Sequence, residues 1–197
     1  MMKYIQKLTI KLLIVLIVMA VWMLMIKPEL YFLLAGLPLV VLGELTRLWA
    51  AGHLEKNDRL IVSGPYAYVK NPLYIGTFLI VTGFCVAGKA WYLLAFSMLI
   101  FFAYYVPYKK RKESENLRKR FGEEFDKYDK AIPDYLPVFK RYEGAAPEPW
   151  AFWRVRHNEE HITCFSVSCG ITYVLLKYAA VLNPPTFSQV VERVWGK

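Results

Sequence analysis

Long apolar segments restrict what this chain can fold into more than any other feature of its sequence. A helix rises about 1.5 Å per residue, so roughly 20 apolar residues cross the hydrocarbon core of a bilayer. Three segments reach that length, and two shorter ones are separated by a glycine and a lysine, a break typical of a tight helical hairpin. The pattern predicts an all-α integral membrane protein with about five transmembrane helices: Leu8–Ile26, Leu30–Trp49, Leu73–Ala87, Ala90–Val106 and Ile162–Leu182.

Charged residues are confined almost wholly to the connections between these segments, and 56% of the 197 residues are hydrophobic. A soluble helical protein with an apolar core is therefore a poor alternative. The first segment ends without a small-residue cleavage site, so we expect a retained anchor rather than a signal peptide. No repeat divides the chain, which predicts one domain over residues 1–197, with a motif-bearing core at 43–140 and an extra transmembrane helix at about 162–182.

Basic residues lie on one side of the predicted topology. They concentrate at the amino terminus, in the loop after the second segment and in the tail that opens with Lys109–Lys112, whereas the other loops hold only Lys27 and Lys89. By the positive-inside rule, these basic parts face the cytoplasm, and we expect an integral protein of a bacterial cytoplasmic membrane. The net charge of +9 favours anionic lipid headgroups. We expect no nucleic-acid partner, because the basic residues flank spans and form no recognition fold.

A proline-rich and tyrosine-rich motif, Gly64–Gly76 (GPYAYVKNPLYIG), leads directly into the third apolar segment. Proline lacks an N–H and pushes the preceding residue out of the α region, so this motif cannot be an ordinary helix interior. At membrane depth, irregular backbone is tolerated only where it is buried in protein or lines a cavity. The motif therefore predicts a binding site at the mouth of a hydrophobic helix.

A second motif, Lys112–Pro137, follows the hairpin. Apolar residues recur at helical spacing between Glu113 and Tyr128, which predicts an amphipathic cytosolic helix, broken at Gly122, that lies on the membrane or on the hairpin. The stripe consists of Leu117, Phe121, Phe125 and Tyr128.

Other polar residues have simpler explanations than catalysis. The spacing of Glu44 and Arg47 predicts an ion pair on one helical face. The segment His157–His161 matches the zinc-protease string H-x-x-E-H, but a charged turn before a span explains it better, and we expect no metal. The three cysteines lie in apolar segments and indicate neither a disulfide nor a metal cluster.

The two motifs, in this order and spacing, resemble the signature of small integral-membrane methyltransferases, the family that includes isoprenylcysteine carboxyl methyltransferases and phospholipid N-methyltransferases. The resemblance covers roughly residues 43–140, with departures at Lys70, Asn71 and Ser114. It implies methyl transfer from S-adenosylmethionine to a lipophilic or lipid-linked acceptor at the cytoplasmic face. The segment that carries the resemblance reads Gly64-Pro65-Tyr66-Ala67-Tyr68-Val69-Lys70-Asn71-Pro72-Leu73-Tyr74, and it is followed by Glu113, Leu117, Phe121, Gly122, Phe125, Tyr128, Pro133 and Pro137.

The same resemblance implies site residues. A basic residue that faces the acceptor falls on Lys109, and no catalytic acid or base is expected, because an in-line displacement depends on positioning in a water-poor pocket. The cofactor contacts implied are His53, Arg59, Leu60, Tyr66, Asn71, Pro72, Leu73, Tyr74 and Glu113.

Two alternatives stay open. Some membrane sterol reductases share a segment like the first motif and use a nicotinamide cofactor such as NADPH, although they are longer. A membrane scaffold without enzymatic activity, whose tyrosines only shape the interface, is the other.

Overall fold

The computed structural model of the protein describes residues 17–55, 59–145 and 148–182, and all regular secondary structure within these ranges is helical. This confirms the expected all-α class. The helices are α1 (described over 17–25), α2 (Leu30–Ala51), α3 (Pro72–Ala87), α4 (Trp91–Ile100), α5 (Val106–Phe121), α6 (Glu123–Ala131), α7 (Phe152–His157) and α8 (Glu160–Leu182), with a 3-10 turn at Gly64–Ala67 and a π turn at Phe101–Tyr105.

Helices α2 and α3 pack against each other through glycines. A Cβ atom on Gly43 would lie 2.6 Å from the carbonyl oxygen of Gly76, and one on Gly36 would lie 2.4 Å from that of Gly83. Glycine lets the two backbones approach, and close van der Waals contact of this kind favours helix association in a bilayer. The α2–α3 pair forms the centre of the bundle.

Helix α8 is attached to this pair by a buried ion pair. Arg47 donates from Nη2 to Glu160 Oε1 at 2.6 Å and from Nε to Glu160 Oε2 at 3.1 Å, and it also donates to Thr77 on α3. Glu44 instead accepts a hydrogen bond from Cys164 on α8. The predicted Glu44–Arg47 pair is therefore wrong, because α8 supplies a carboxylate from a distant part of the sequence.

The described helices support a membrane protein but not a definite number of spans. Helices α2 and α8 are long and apolar enough to cross a bilayer, whereas α3 and α4 are shorter. The first expected span, Leu8–Ile26, lies partly outside the described residues. The five transmembrane helices stay a prediction.

The amphipathic segment is broken at Gly122, as predicted, where φ is +51° and a non-glycine residue would be strained. Its stripe does not lie on the hairpin. It forms a core with the loop before α3 and the segment after α6, because these two chain segments also present apolar side chains. The members of this core are Leu60, Val62, Leu117, Phe121, Phe125, Tyr128, Ile132, Val138 and Tyr142.

Candidate functional site

The first motif begins with a turn that fits only a glycine. Gly64 has φ +56°, and a Cβ atom there would lie 2.6 Å from Cγ of the His53 ring. His53 is buried, with Nδ1 3.0 Å from the carbonyl oxygen of Trp49 at the end of α2. The His53 ring therefore packs against the turn at Gly64, and it does not line the cavity described below.

Residues 132–142, which we call the strap, run beside the first motif and satisfy its backbone groups. Tyr68 and Ala67 of the motif offer carbonyl oxygens to backbone N–H groups of the strap. The hydroxyl of Tyr128 on α6 donates to the carbonyl oxygen of Tyr66 at 2.6 Å. The backbone bonds are Lys70 N–H to Pro133 O, Asn71 N–H to Asp134 O, Val138 N–H to Tyr68 O and Tyr142 N–H to Ala67 O, at 2.9–3.2 Å.

A cavity of about 210 Å³ lies between the motif, the residues that precede it, and helices α5 and α6. Its wall combines aromatic rings with side chains of both charges, an arrangement that suits a ligand with an apolar ring and ionic groups. The lining residues are Leu54, Glu55, Arg59, Leu60, Ile61, Tyr66, Lys70, Asn71, Glu113, Ser114, Leu117, Arg120, Phe121, Phe125, Tyr128 and Asp134.

Five of the predicted cofactor contacts line this cavity, and their contact with a cofactor stays a prediction. They are Arg59, Leu60, Tyr66, Asn71 and Glu113.

The other predicted contacts at the start of α3 stand behind the cavity wall. Tyr74 donates from its hydroxyl to Glu113 Oε2 at 2.8 Å and so fixes the position of that carboxylate. Pro72 is fully buried at the first turn of α3, where its missing N–H is no loss. The carbonyl oxygen of Leu73 accepts hydrogen bonds from Arg47 and Thr77.

The predicted acceptor-binding residue Lys109 belongs to α5, but its side chain lies outside the described residues. Its role stays a prediction.

Sequence reasoning missed the part played by Lys70. Its ammonium group pairs with Asp129 Oδ1 at 2.5 Å and with Asp134 Oδ1 at 3.0 Å, and the side chain is only 11% exposed. The two aspartates follow the apolar stripe of the second motif. Their position there was the sequence signal that could have identified them as partners of Lys70. Lys70 therefore ties the first motif to the end of α6 and to the strap.

Two phenols at the cavity are held in their neutral form. Burial raises the pKa of Tyr66 well above its ordinary value, and the neighbouring Tyr128 and Glu113 add to the shift. Burial likewise raises the pKa of Tyr128. Both hydroxyls are thus hydrogen-bond donors throughout the physiological range.

The zinc-protease string does not form one helical face. His157 ends α7 and His161 lies on α8, with Glu159 at φ +60° between them. Within the described residues, no group of three or more histidine, cysteine, aspartate or glutamate side chains is arranged to hold a metal ion.

These features define a helical membrane protein with a mixed-charge cavity at one end of its bundle. Residues 50–139, a little under half of the chain, match the model of the ergosterol biosynthesis ERG4/ERG24 family. That family comprises integral-membrane sterol reductases. Every residue that lines the cavity lies within the matched range.

Two curated relatives are proteins of metal resistance. The nickel-cobalt-cadmium resistance protein NccN of Alcaligenes xylosoxydans xylosoxydans is 31% identical over 107 residues, and the cobalt-zinc-cadmium resistance protein CzcN of Cupriavidus metallidurans is 32% identical over 107 residues. Each alignment covers 53% of this chain and 49% of the relative, so the chain spans about half the length of the curated relatives it matches. No solved structure is significantly similar to the chain.

The family match corrects the functional expectation. Methyl transfer, the methyltransferase class and S-adenosylmethionine as cofactor are wrong, because the motif-bearing segment matches a family of reductases. The reason is that the segment GPYAYVKNPLYIG encodes a local backbone shape and a pocket, not the group that is transferred. The expectations of a membrane protein and a lipophilic substrate agree with the match.

Proposed function

We propose that this protein is a membrane reductase that transfers hydride from NADPH to a carbon–carbon double bond of a lipophilic, sterol-type substrate. The observation that carries the proposal is that the cavity is built entirely from the segment similar to the sterol reductase family.

Cationic side chains at the cavity suit the phosphate groups of a dinucleotide. Arg59 is 47% exposed and Arg120 is also exposed, although Arg59 pairs with Glu55 and Glu148, which a phosphate group would have to replace. Lys70 is buried in its aspartate pairs. The enclosed volume of about 210 Å³ is smaller than a typical ligand pocket of roughly 300–1,000 Å³. One ring system fits within it, and the phosphates would lie at the arginine-bearing rim.

The cavity also supplies proton donors. When bound, the reduced nicotinamide would supply the hydride that forms one new C–H bond, and it would leave in its oxidised form. The second carbon of the double bond needs a proton. In this proposal Glu113 would take up that proton from solvent and deliver it to the carbon, with Tyr74 holding the carboxyl group, and the neutral hydroxyl of Tyr66 would donate a hydrogen bond at the same wall.

The binding test is a thermal melt of the full chain in detergent with NADPH, NADH and S-adenosylhomocysteine in parallel. A ligand at about 100 times its Kd stabilises a protein by about 2.7 kcal/mol, so we expect NADPH to raise the Tm. Arg59→Gln should reduce the rise, whereas Lys140→Gln, on an exposed side chain, should not. A rise with S-adenosylhomocysteine alone, or no rise with NADPH, contradicts the proposal.

The activity test follows the loss of NADPH absorbance with sterol and isoprenoid substrates in mixed micelles. We expect Glu113→Gln to lower kcat by about 10²–10⁴-fold, the usual contribution of a positioned acid. A Glu113→Gln protein with unchanged kcat would remove this carboxyl from the proton path.

We also propose that the cavity faces the cytoplasm and that residues 1–197 form one domain around the core 43–140. The excess of basic residues in the loop before α3 and in the tail supports this orientation. A reporter fused after Arg141 should then signal the cytoplasm, and one after Lys197 the opposite side. Equal signals from both fusions would contradict the proposed crossing of α8.

A further inference from the structure

Two large apolar side chains project from the strap although the strap belongs to no membrane-spanning helix. Leu136 is 79% exposed and Phe139 is fully exposed. Exposed apolar residues on α2 and α8 are explained by the bilayer around those helices. Leu136 and Phe139 need a different explanation.

The exposure of these residues is imposed by a fixed backbone. The strap is hydrogen-bonded to the first motif at Pro133, Asp134, Val138 and Tyr142, on both sides of the exposed pair. The two side chains therefore have a definite direction, and no surface within the described part of the chain covers them.

Contacts of the strap place it level with the ends of the apolar helices. The ring of Tyr135 lies 6.4 Å from that of Phe101, which follows α4. Asp134 accepts both the backbone N–H and the side-chain amide of Asn71, the residue that precedes α3. The exposed pair is thus adjacent to the end of the hairpin at which α3 begins and α4 ends.

A second segment at the same end of the bundle has the same character. Trp150 donates from its indole N–H to the carbonyl oxygen of Leu48 at the end of α2. Phe152 and Trp153 on the following helix α7 are 69% and 56% exposed, just before α8 begins. Aromatic side chains concentrate where hydrocarbon meets headgroups, so both segments fit the same plane.

We infer that Leu136 and Phe139 insert into the bilayer interface and hold the cavity at the membrane surface. The neighbouring Lys140 and Arg141 then lie among anionic headgroups, which complement their charge. Asp134 of the same strap lines the cavity, so insertion brings the cavity wall to the lipid. A lipophilic molecule in the bilayer thereby meets the cavity without crossing water.

The test measures the depth of nitroxide labels in the full chain reconstituted into vesicles of phosphatidylcholine and phosphatidylglycerol. Labels are placed by Leu136→Cys and Phe139→Cys, with Glu143→Cys as the matched control on an exposed residue of the adjacent loop. The signal of the unsubstituted chain is subtracted, because Cys164 and Cys169 lie on α8. Accessibility to oxygen and to a water-soluble nickel chelate gives the depth.

We expect the labels at 136 and 139 to be accessible to oxygen and at least tenfold less accessible to nickel than the label at 143. Nickel accessibility equal to that at 143 overturns the inference, because the pair then faces water. Low accessibility to both oxygen and nickel also overturns it, because a protein surface then covers the pair. Both substituted side chains are exposed, so the variants should fold, and either position alone decides the result. No turnover is needed, so failure of the reductase proposal leaves this measurement intact.

Discussion

The α2–α3 interface and the cavity are held together in different ways. At the interface, glycines such as Gly43 and Gly76 bring two backbones together, so the size of the side chains governs the fit. At the cavity, Lys70 joins two aspartates from beyond α5, and the strap satisfies the backbone of the motif. The comparison shows that packing in the apolar half of the molecule, around α2 and α3, depends on residue size. The structure of the polar half, around the cavity, depends on contacts between residues that are remote in sequence.

The largest loss of stability is expected at the ion pair between Arg47 and Glu160, which lies among the apolar helices. Glu160→Gln leaves the Arg47 guanidinium without its carboxylate, and removal of one partner of a buried pair costs about 3–5 kcal/mol. A lower Tm in detergent would show this. The double variant Arg47→Leu/Glu160→Leu should cost less than the single change, because no charge is then left buried. A double variant that is less stable than Glu160→Gln would contradict this account.

The next largest effect is expected from a larger side chain at the α2–α3 interface. Gly43→Val adds a Cβ atom that would lie 2.6 Å from a carbonyl oxygen and 2.9 Å from the Ile80 side chain. Overpacking of this kind costs about 1–3 kcal/mol or more. The control Leu34→Val changes a side chain of the same helix that is 66% exposed and should leave the Tm within a degree or two. Equal Tm values for the two variants would show that the helices separate easily.

The third effect tests a hydrogen bond at the cavity wall by a substitution that nearly preserves side-chain volume. Tyr128→Phe removes the donor to the buried carbonyl oxygen of Tyr66, which costs about 1–3 kcal/mol when the acceptor is left unsatisfied. Chemical denaturation should show a lower free energy of unfolding. Tyr31→Phe, at a side chain that is 83% exposed, is the matched control. If both changes are neutral, water replaces the lost hydroxyl and the cavity wall is wetter than the structure indicates.

The smallest effect belongs to Tyr74. Tyr74→Phe frees Glu113, which is also a predicted cofactor contact, from one hydrogen bond, and this partly solvated site should lose only about 0.5–1.5 kcal/mol of NADPH binding. Isothermal titration calorimetry should give a Kd raised by about two- to tenfold. Tyr92→Phe, which is 85% exposed, should bind normally. Normal binding by Tyr74→Phe as well would show that Glu113 is positioned by other contacts.

Much of the apolar half could be predicted from sequence because its signals are local. The helix starting at Pro72, the hairpin and the break at Gly122 each follow from residues within a few positions of each other. The proline and tyrosine pattern around Tyr66 predicted a binding site, and the structure has a cavity beside that residue, whereas ligand binding there stays a prediction. Helical periodicity also identified the stripe on α5 and α6, although not the surface that it covers.

The rest could not be predicted because it depends on contacts between distant residues. Arg47 has a carboxylate at three residues' distance, yet it pairs with Glu160, and no local rule selects between them. Lys70 finds its partners only after α6 and the strap are in place. The transferred group also lies beyond local signals, since one backbone motif serves more than one chemistry.

The strap has a consequence for how the protein is made. Tyr66 pairs with Tyr128, which lies 62 residues later on α6, and the strap follows α6. During translation the first motif therefore leaves the ribosome before these partners have been synthesised. Domains generally fold as units during synthesis, and contacts between distant residues stabilise the chain only after the entropy of closing the loop between them has been lost. The wall of the cavity is therefore incomplete while α3 and α4 are being made, and it is completed only when α6 and the strap have been synthesised.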